Sequence, residues 1–85
     1  MSKSVTVYTT QYCPHCRRAK YLLDHKGIEY TEMDLTQDDA LRSQLEEKTN
    51  WMTVPMIFIG QEFIGGADEL YDLESKGELD QKVQG

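Results

Sequence analysis

A chain of 85 residues, 39% hydrophobic and 28% charged, has room for one small folded domain, read as residues 1–85. That balance excludes an intrinsically disordered protein. The formal net charge of −6 excludes a general nucleic-acid binder, which needs a basic face to displace counterions from phosphates, and a protein that docks on anionic lipid.

The chain opens with MSKSVTVYTT, which lacks the apolar run of a signal peptide, and no stretch approaches the ~20 apolar residues that cross a bilayer. The expectation is a cytosolic protein with no membrane partner. Val5 to Thr9 then reads as a strand, with Val5 and Val7 on one face and Thr6 and Tyr8 on the other. Pro14 suits the first position of a helix, where its missing N–H costs nothing, and this leaves Cys13 at the N-cap. Cys16, Ala19, Leu22 and Leu23 recur at helical spacing, and Gly27 supplies the stop.

Ile28 to Asp34 reads as a second strand. Thr36 and Asp39 resemble a capping box that opens a helix from Gln37 to about Lys48, with a thin apolar stripe of Leu41 and Leu45 and with Asn50 at its end. Pro55 precedes a third strand, Met56 to Ile59; Gly60-Gln61 turns the chain into a fourth, Glu62 to Ile64, which Gly65-Gly66 ends. A last long helix runs from Ala67 to Gly77, with room for one short helical turn after it. The order βαβαββα predicts an α/β protein of the thioredoxin fold, a four-stranded mixed sheet flanked by helices.

The chemistry sits in Cys13-Pro14-His15-Cys16. A secreted disulfide scaffold of this length carries about four to eight cysteines. This chain has two, three positions apart, at a helix start. The nucleophile in thiol–disulfide exchange is the thiolate, and unpaired N–H groups at a helix N-terminus favour it. Arg17, Arg18, Lys20 and Lys26 place four of the nine basic residues in one ten-residue span, adding to that field. Cys13 is therefore the candidate nucleophile, and Cys16, one turn inside, the resolving thiol. Zinc needs four ligands. Only His15, between the cysteines, and His25, more than two turns away, supplement the pair, so no metal is expected.

Three motifs in order, YCPHC at 12–16, TVPMIFI at 53–59 and IGGADEL at 64–70, resemble those of dithiol (class I) glutaredoxins over nearly the whole chain. The resemblance implies glutathione as reductant and co-substrate. It also implies that protein disulfides and protein–glutathione mixed disulfides are the substrates, with ribonucleotide reductase a common client, in a cytoplasmic monomer. It implies a cis Pro55 beside the cysteines, with Pro14, His15 and Pro55 tuning the site. Val54 would pair with the ligand's cysteine backbone, with Thr53, Pro55, Tyr12 and His15 also among the glutathione contacts. Gly66, Ala67 and Asp68 would take the γ-glutamyl end. Arg42 matches a position often basic in the family, where it would meet the glycine carboxylate.

The bland readings stand beside these: Pro55 as an ordinary strand start, Asp68 as a favourable acid in a helix first turn, Arg42 as a solvated helix charge. Two positions depart from the family pattern. Thr10 stands where a lysine is common, and His15 where tyrosine is usual. The Pro-His pair is the one found in strongly oxidising disulfide oxidases, so the expected potential is at or above roughly −200 mV. Pro14 argues against an iron–sulfur cluster. Three rivals remain: a donor served by thioredoxin reductase, a cluster-carrying module and a disulfide-forming oxidase. Trp51, Phe63, Met52 and Met56 read as packing.

Overall fold

Alternation decides the first strand. Val5, Val7 and Thr9 are buried on one face of β1 (Val5–Thr9), and Thr6 and Tyr8 take the other. The computed structural model describes residues 3–84, so residues 1, 2 and 85 of the expected domain lie outside the described residues.

Pro14 opens α1 (Pro14–His25) with Cys13 as its N-cap, and Cys16, Ala19, Leu22 and Leu23 form its buried stripe. Gly27, at φ +70°, lets the Ile28 N–H turn back to the Leu23 carbonyl at 2.9 Å. That bond corrects the expected second strand. β2 is Thr31–Asp34 and not Ile28–Asp34, because the Ile28 N–H closes the helix instead of joining a ladder. Ile28 and Tyr30 still pack on the core from this loop.

The second helix, α2 (Asp39–Thr49), also begins later than expected. Its N-cap is Asp38, whose carboxylate accepts from the Leu41 N–H at 3.1 Å. Thr36 is already engaged by Asp34, which accepts from its N–H at 2.8 Å, and the Thr36 oxygen accepts from the Gln11 N–H at 2.9 Å. Asn50 ends the helix as expected, in the left-handed region at φ +57°.

β3 (Met56–Ile59) and β4 (Glu62–Gly65) form a hairpin. β4 runs one residue past the expected Ile64, since Gly65 pairs with Ile57 across a register shift. The chain finishes with α3 (Ala67–Ser75) and a short α4 (Leu79–Gln84) in the place left for one short helical turn.

The sheet order is β2-β1-β3-β4, with β1 parallel to β2 and antiparallel to β3, and β3 antiparallel to β4. This is the mixed sheet of the thioredoxin fold. Val5, Val7, Ile57 and Ile59 meet α1, α3 and α4 through Ala19, Leu22, Leu23, Ala67, Leu70 and Leu79. On the other face Met56 and Phe58 meet Leu45 of α2 and Leu35. Tyr8 lies opposite Met56, and Ile57 opposite Gly65. The register therefore gathers the end of β1, the start of β3 and the end of β4 at one edge, where α1 and α3 begin. Among the described residues no helix is long and apolar enough to cross a membrane.

Candidate active site

Cys13 follows directly from that register. Tyr12 takes a left-handed backbone at φ +60°, its side chain exposed, and turns the chain from β1 into α1. The Cys13 sulfur then accepts from the Cys16 N–H at 3.2 Å, filling the N-cap role a serine usually holds. Its thiol lies 3.6 Å from the Val54 carbonyl oxygen, to which it donates. The Val54–Pro55 peptide is cis, and Pro55 is buried beside it.

Cys16 is buried while Cys13 is half-exposed, and both are free thiols. Burial first, and the hydrogen bond with Cys13 second, push the Cys16 thiol up to about 12. The Thr10 backbone and Lys20 act in the opposite sense. A groove of about 410 Å³ opens over the pair, lined by Thr10, Tyr12, Arg17, Lys20 and Glu32 among others. A larger one, about 750 Å³, lies around Val5 and Gly27, at the other end of β1.

The expected basic span does not act as one patch. Lys20 pairs with Glu32 of β2 at 3.0 Å, and that carboxylate, which holds Lys20 above its ordinary range, also accepts from the buried Thr9 hydroxyl. Lys26 is held by Glu74 at 2.9 Å and Asp80 at 3.2 Å. Arg18 reaches Asp68 at 3.1 Å. Arg17 makes no ion pair among the described residues and lines the groove beside Cys13.

The GGAD stretch stands next to Pro55. A Cβ on Gly66 would lie 3.5 Å from the Pro55 carbonyl oxygen and 3.7 Å from Trp51, so glycine keeps this approach close. The Gly66 N–H donates to the Glu69 carboxylate at 2.8 Å. The N–H groups of Ala67 and Asp68 lie in the first turn of α3, which no intrahelical carbonyl reaches. Trp51 and Phe63 pack edge to face at 5.6 Å, as expected of packing residues. Met56 is buried, but Met52 is exposed and fills no gap.

Of the sequence-predicted site residues, Cys13, Cys16, Val54, Pro55 and Gly66 are brought together, with Pro14 and Ala67 in the adjoining helix turns and Thr53 on the exposed loop before Val54. Asp68 stands at the edge of this cluster, most of its side chain exposed. His15 is not among the residues lining the groove over the sulfurs, and its Nδ1 lies 3.1 Å from Arg18 Nη1. Arg42 instead donates to Glu46 at 3.3 Å on its own helix, and no hydrogen bond or ion pair among the described residues ties it to Cys13. Sequence reasoning missed Arg18, Tyr71 and Glu69 as parts of the site. Glu69 carries a local signal, an acid three residues after the N-cap. The Arg18–Asp68 and Arg18–Tyr71 contacts span fifty residues or more and carry none.

Residues 5–64 match the glutaredoxin family model. Over 76 residues the chain is 45% identical to a glutaredoxin from Pseudomonas aeruginosa, covering 89% of this chain and 90% of that one. It is 42% identical over 77 residues to glutaredoxin 3 of Escherichia coli, covering 91% and 93%. The fold superposes on the crystal structure of a buckwheat glutaredoxin–glutathione complex with a TM-score of 0.91 at 33% identity, over 95% of this chain and 76% of the other.

Proposed function

The chain belongs to the glutaredoxin family, is of dithiol type, and is a thiol–disulfide oxidoreductase; on that footing we propose that glutathione is its reductant and that it reduces protein disulfides and protein–glutathione mixed disulfides. The observation that carries this reading is the placement of the Cys13 sulfur. It sits half-exposed at a helix N-terminus, 3.6 Å from Val54 and next to the Pro55–Gly66 approach, which leaves an open seat for a short peptide bearing a thiol.

In the monothiol route the Cys13 thiolate attacks the glutathione sulfur of a mixed disulfide. The protein thiolate leaves and takes a proton, and Cys13 carries glutathione. A second glutathione thiolate attacks that adduct, releasing glutathione disulfide and restoring the Cys13 thiol. In the dithiol route Cys13 attacks a protein disulfide, Cys16 loses its proton and displaces the substrate thiol, and two glutathiones reopen the Cys13–Cys16 bond. The Cys16 N–H at 3.2 Å and the positive end of α1 stabilise charge on Cys13 at each return.

For the ligand, Val54 offers backbone pairing to the cysteine moiety, with Thr53 and Tyr12 flanking it. Gly66, Ala67 and Asp68 receive the γ-glutamyl end, the open N–H groups facing its carboxylate. Arg42, drawn to Glu46, has to leave that partner to reach the glycine carboxylate. A cytosolic setting, a monomeric state and ribonucleotide reductase as a client belong to the same proposal.

The test couples reduction of a small mixed disulfide to glutathione, glutathione reductase and NADPH. Wild type and Cys16→Ser turn over, and Cys13→Ser is inactive. A wild type that is silent with glutathione yet active with thioredoxin reductase overturns the glutathione assignment.

A further inference from the structure

The Arg18 guanidinium is seated from three sides. Its Nη1 donates to the Asp68 carboxylate at 3.1 Å and to His15 Nδ1 at 3.1 Å. Its carbon lies 5.1 Å from the centre of the Tyr71 ring, and the Tyr71 hydroxyl donates to the Arg18 backbone carbonyl at 3.0 Å. The ring and the two bonds together hold the guanidinium in place, and the two bonds use the hydrogens on one nitrogen only. Nε and Nη2 form the other side of the fork, and no hydrogen bond among the described residues engages them. Two parallel N–H groups on one edge of a fixed guanidinium match the two oxygens of a carboxylate.

Asp68 offers the complementary half. Only its Oδ1 is taken by Arg18, and 77% of its side chain is exposed, against 44% for Arg18. A positive fork and a negative carboxylate, side by side at the first turn of α3, face solvent together. A free α-amino acid head carries an ammonium and a carboxylate on one carbon. Set against this pair, its charges alternate with those of the protein, ammonium on Asp68 and carboxylate on Arg18, and the four close into a ring.

We propose that Arg18 is a specificity-determining residue that shares the α-carboxylate of the γ-glutamyl group with the open N–H groups of Ala67 and Asp68, so that Arg18 and Asp68 together recognise the zwitterionic head of the substrate. This rests on the glutathione reading above. His15 and Tyr71 serve as positioning residues for the fork. The first contributes an acceptor on the same helix, the second a ring from α3. The histidine at position 15 thus acts on the ligand through Arg18.

The test compares two mixed disulfides of one peptide, one with glutathione and one with cysteinylglycine, which lacks the γ-glutamyl group. The second-order rate of peptide release by reduced enzyme is measured in a Cys16→Ser background, which isolates the Cys13 step. In that background with Arg18 intact, the glutathionyl peptide reacts faster. Arg18→Gln lowers its rate about tenfold, the scale of a lost charge-assisted pair, while the cysteinylglycyl peptide stays within about twofold. Arg18→Lys restores only part, because an ammonium is a point charge and not a fork. Equal losses on both peptides make Arg18 merely structural and overturn the proposal. An unchanged or increased preference for the glutathionyl peptide overturns it too, the latter by showing that the guanidinium blocks Asp68. If the background enzyme itself shows no preference, the glutathione reading falls first and this one with it.

Discussion

Cys13 and Cys16 are chemically the same residue on one helix turn, and burial separates them. Cys13 keeps solvent on one side and an N–H on the other; Cys16 is 2% exposed and its thiol is pushed up to about 12. The folded state therefore holds the Cys16 proton more tightly than the unfolded chain does. Stability from this group is complete below its ordinary 9.0 and is lost as pH rises toward about 12. Across that window the reduced protein loses unfolding free energy with rising pH, on the order of 1 kcal/mol per pH unit, from this thiol. Urea unfolding at pH 8 and pH 10.5 under reducing conditions checks it: the loss is smaller in Cys16→Ser, and the lysines and tyrosines that titrate in the same range cancel between the two proteins. Equal losses in both sink the assignment. Gly65 is the other residue with no substitute, since at φ +122° an added Cβ would also stand 2.8 Å from Glu69.

The elements place these residues by their ends. α1 starts where β1 and Tyr12 leave it, and its first turn carries Cys13; α3 starts where β4 stops, and its first turn carries Asp68. α2 contributes less to the site, and its stability depends on its cap. Its one buried side chain is Leu45, and its first turn is held by Asp38. Asp38→Ala is expected to cost about 1 kcal/mol in urea unfolding, whereas Thr36→Ala, expected to be the cap from sequence, costs less helix stability. A larger effect at Thr36 reverses that assignment. The reason for the displaced cap is local competition. Asp34 captures the Thr36 N–H and hydroxyl, lowering its own carboxyl pKa, and Thr36 is then no longer able to face the helix.

Across the whole molecule, two unequal cores clamp the sheet. The larger joins β1 and β3 to α1, α3 and α4, and the smaller sits under α2. In a domain this small, one core side chain is a large share of the total. Leu70→Ala, at a fully buried position that fastens α3 and so Asp68, is expected to cost about 2–5 kcal/mol, with Leu45→Ala toward the low end. Chemical denaturation of both variants measures this; a Leu45→Ala loss exceeding that of Leu70→Ala contradicts the ranking. The ion pairs follow the same plan. Lys26 ties α1 to α3 and α4, and Lys20 ties α1 to β2, so cations clustered in sequence are spread over acids from three elements.

The sequence alone determined β1 and β3 with their bounds, the places of the other two strands, the starts of α1 and α3 and the chemical pair, because each is local. Alternation marks β1, a proline and a stripe mark α1, and a cysteine pair three apart on a helix start has few other uses. The γ-glutamyl residues Gly66 to Asp68 were legible only through the resemblance of three motifs to a family, since glycines and an acid at a helix start have an ordinary explanation. Tertiary structure decided the rest. The Ile28 N–H went to a helix end and shortened β2, three of the four cations of the basic span were paired from afar, and Arg42 turned to Glu46. Arg18 met Asp68 fifty residues away because α1 and α3 pack on one sheet face. Periodicity and caps are written in neighbouring residues, whereas a partner for a charge is chosen by whatever the fold brings within about 4 Å.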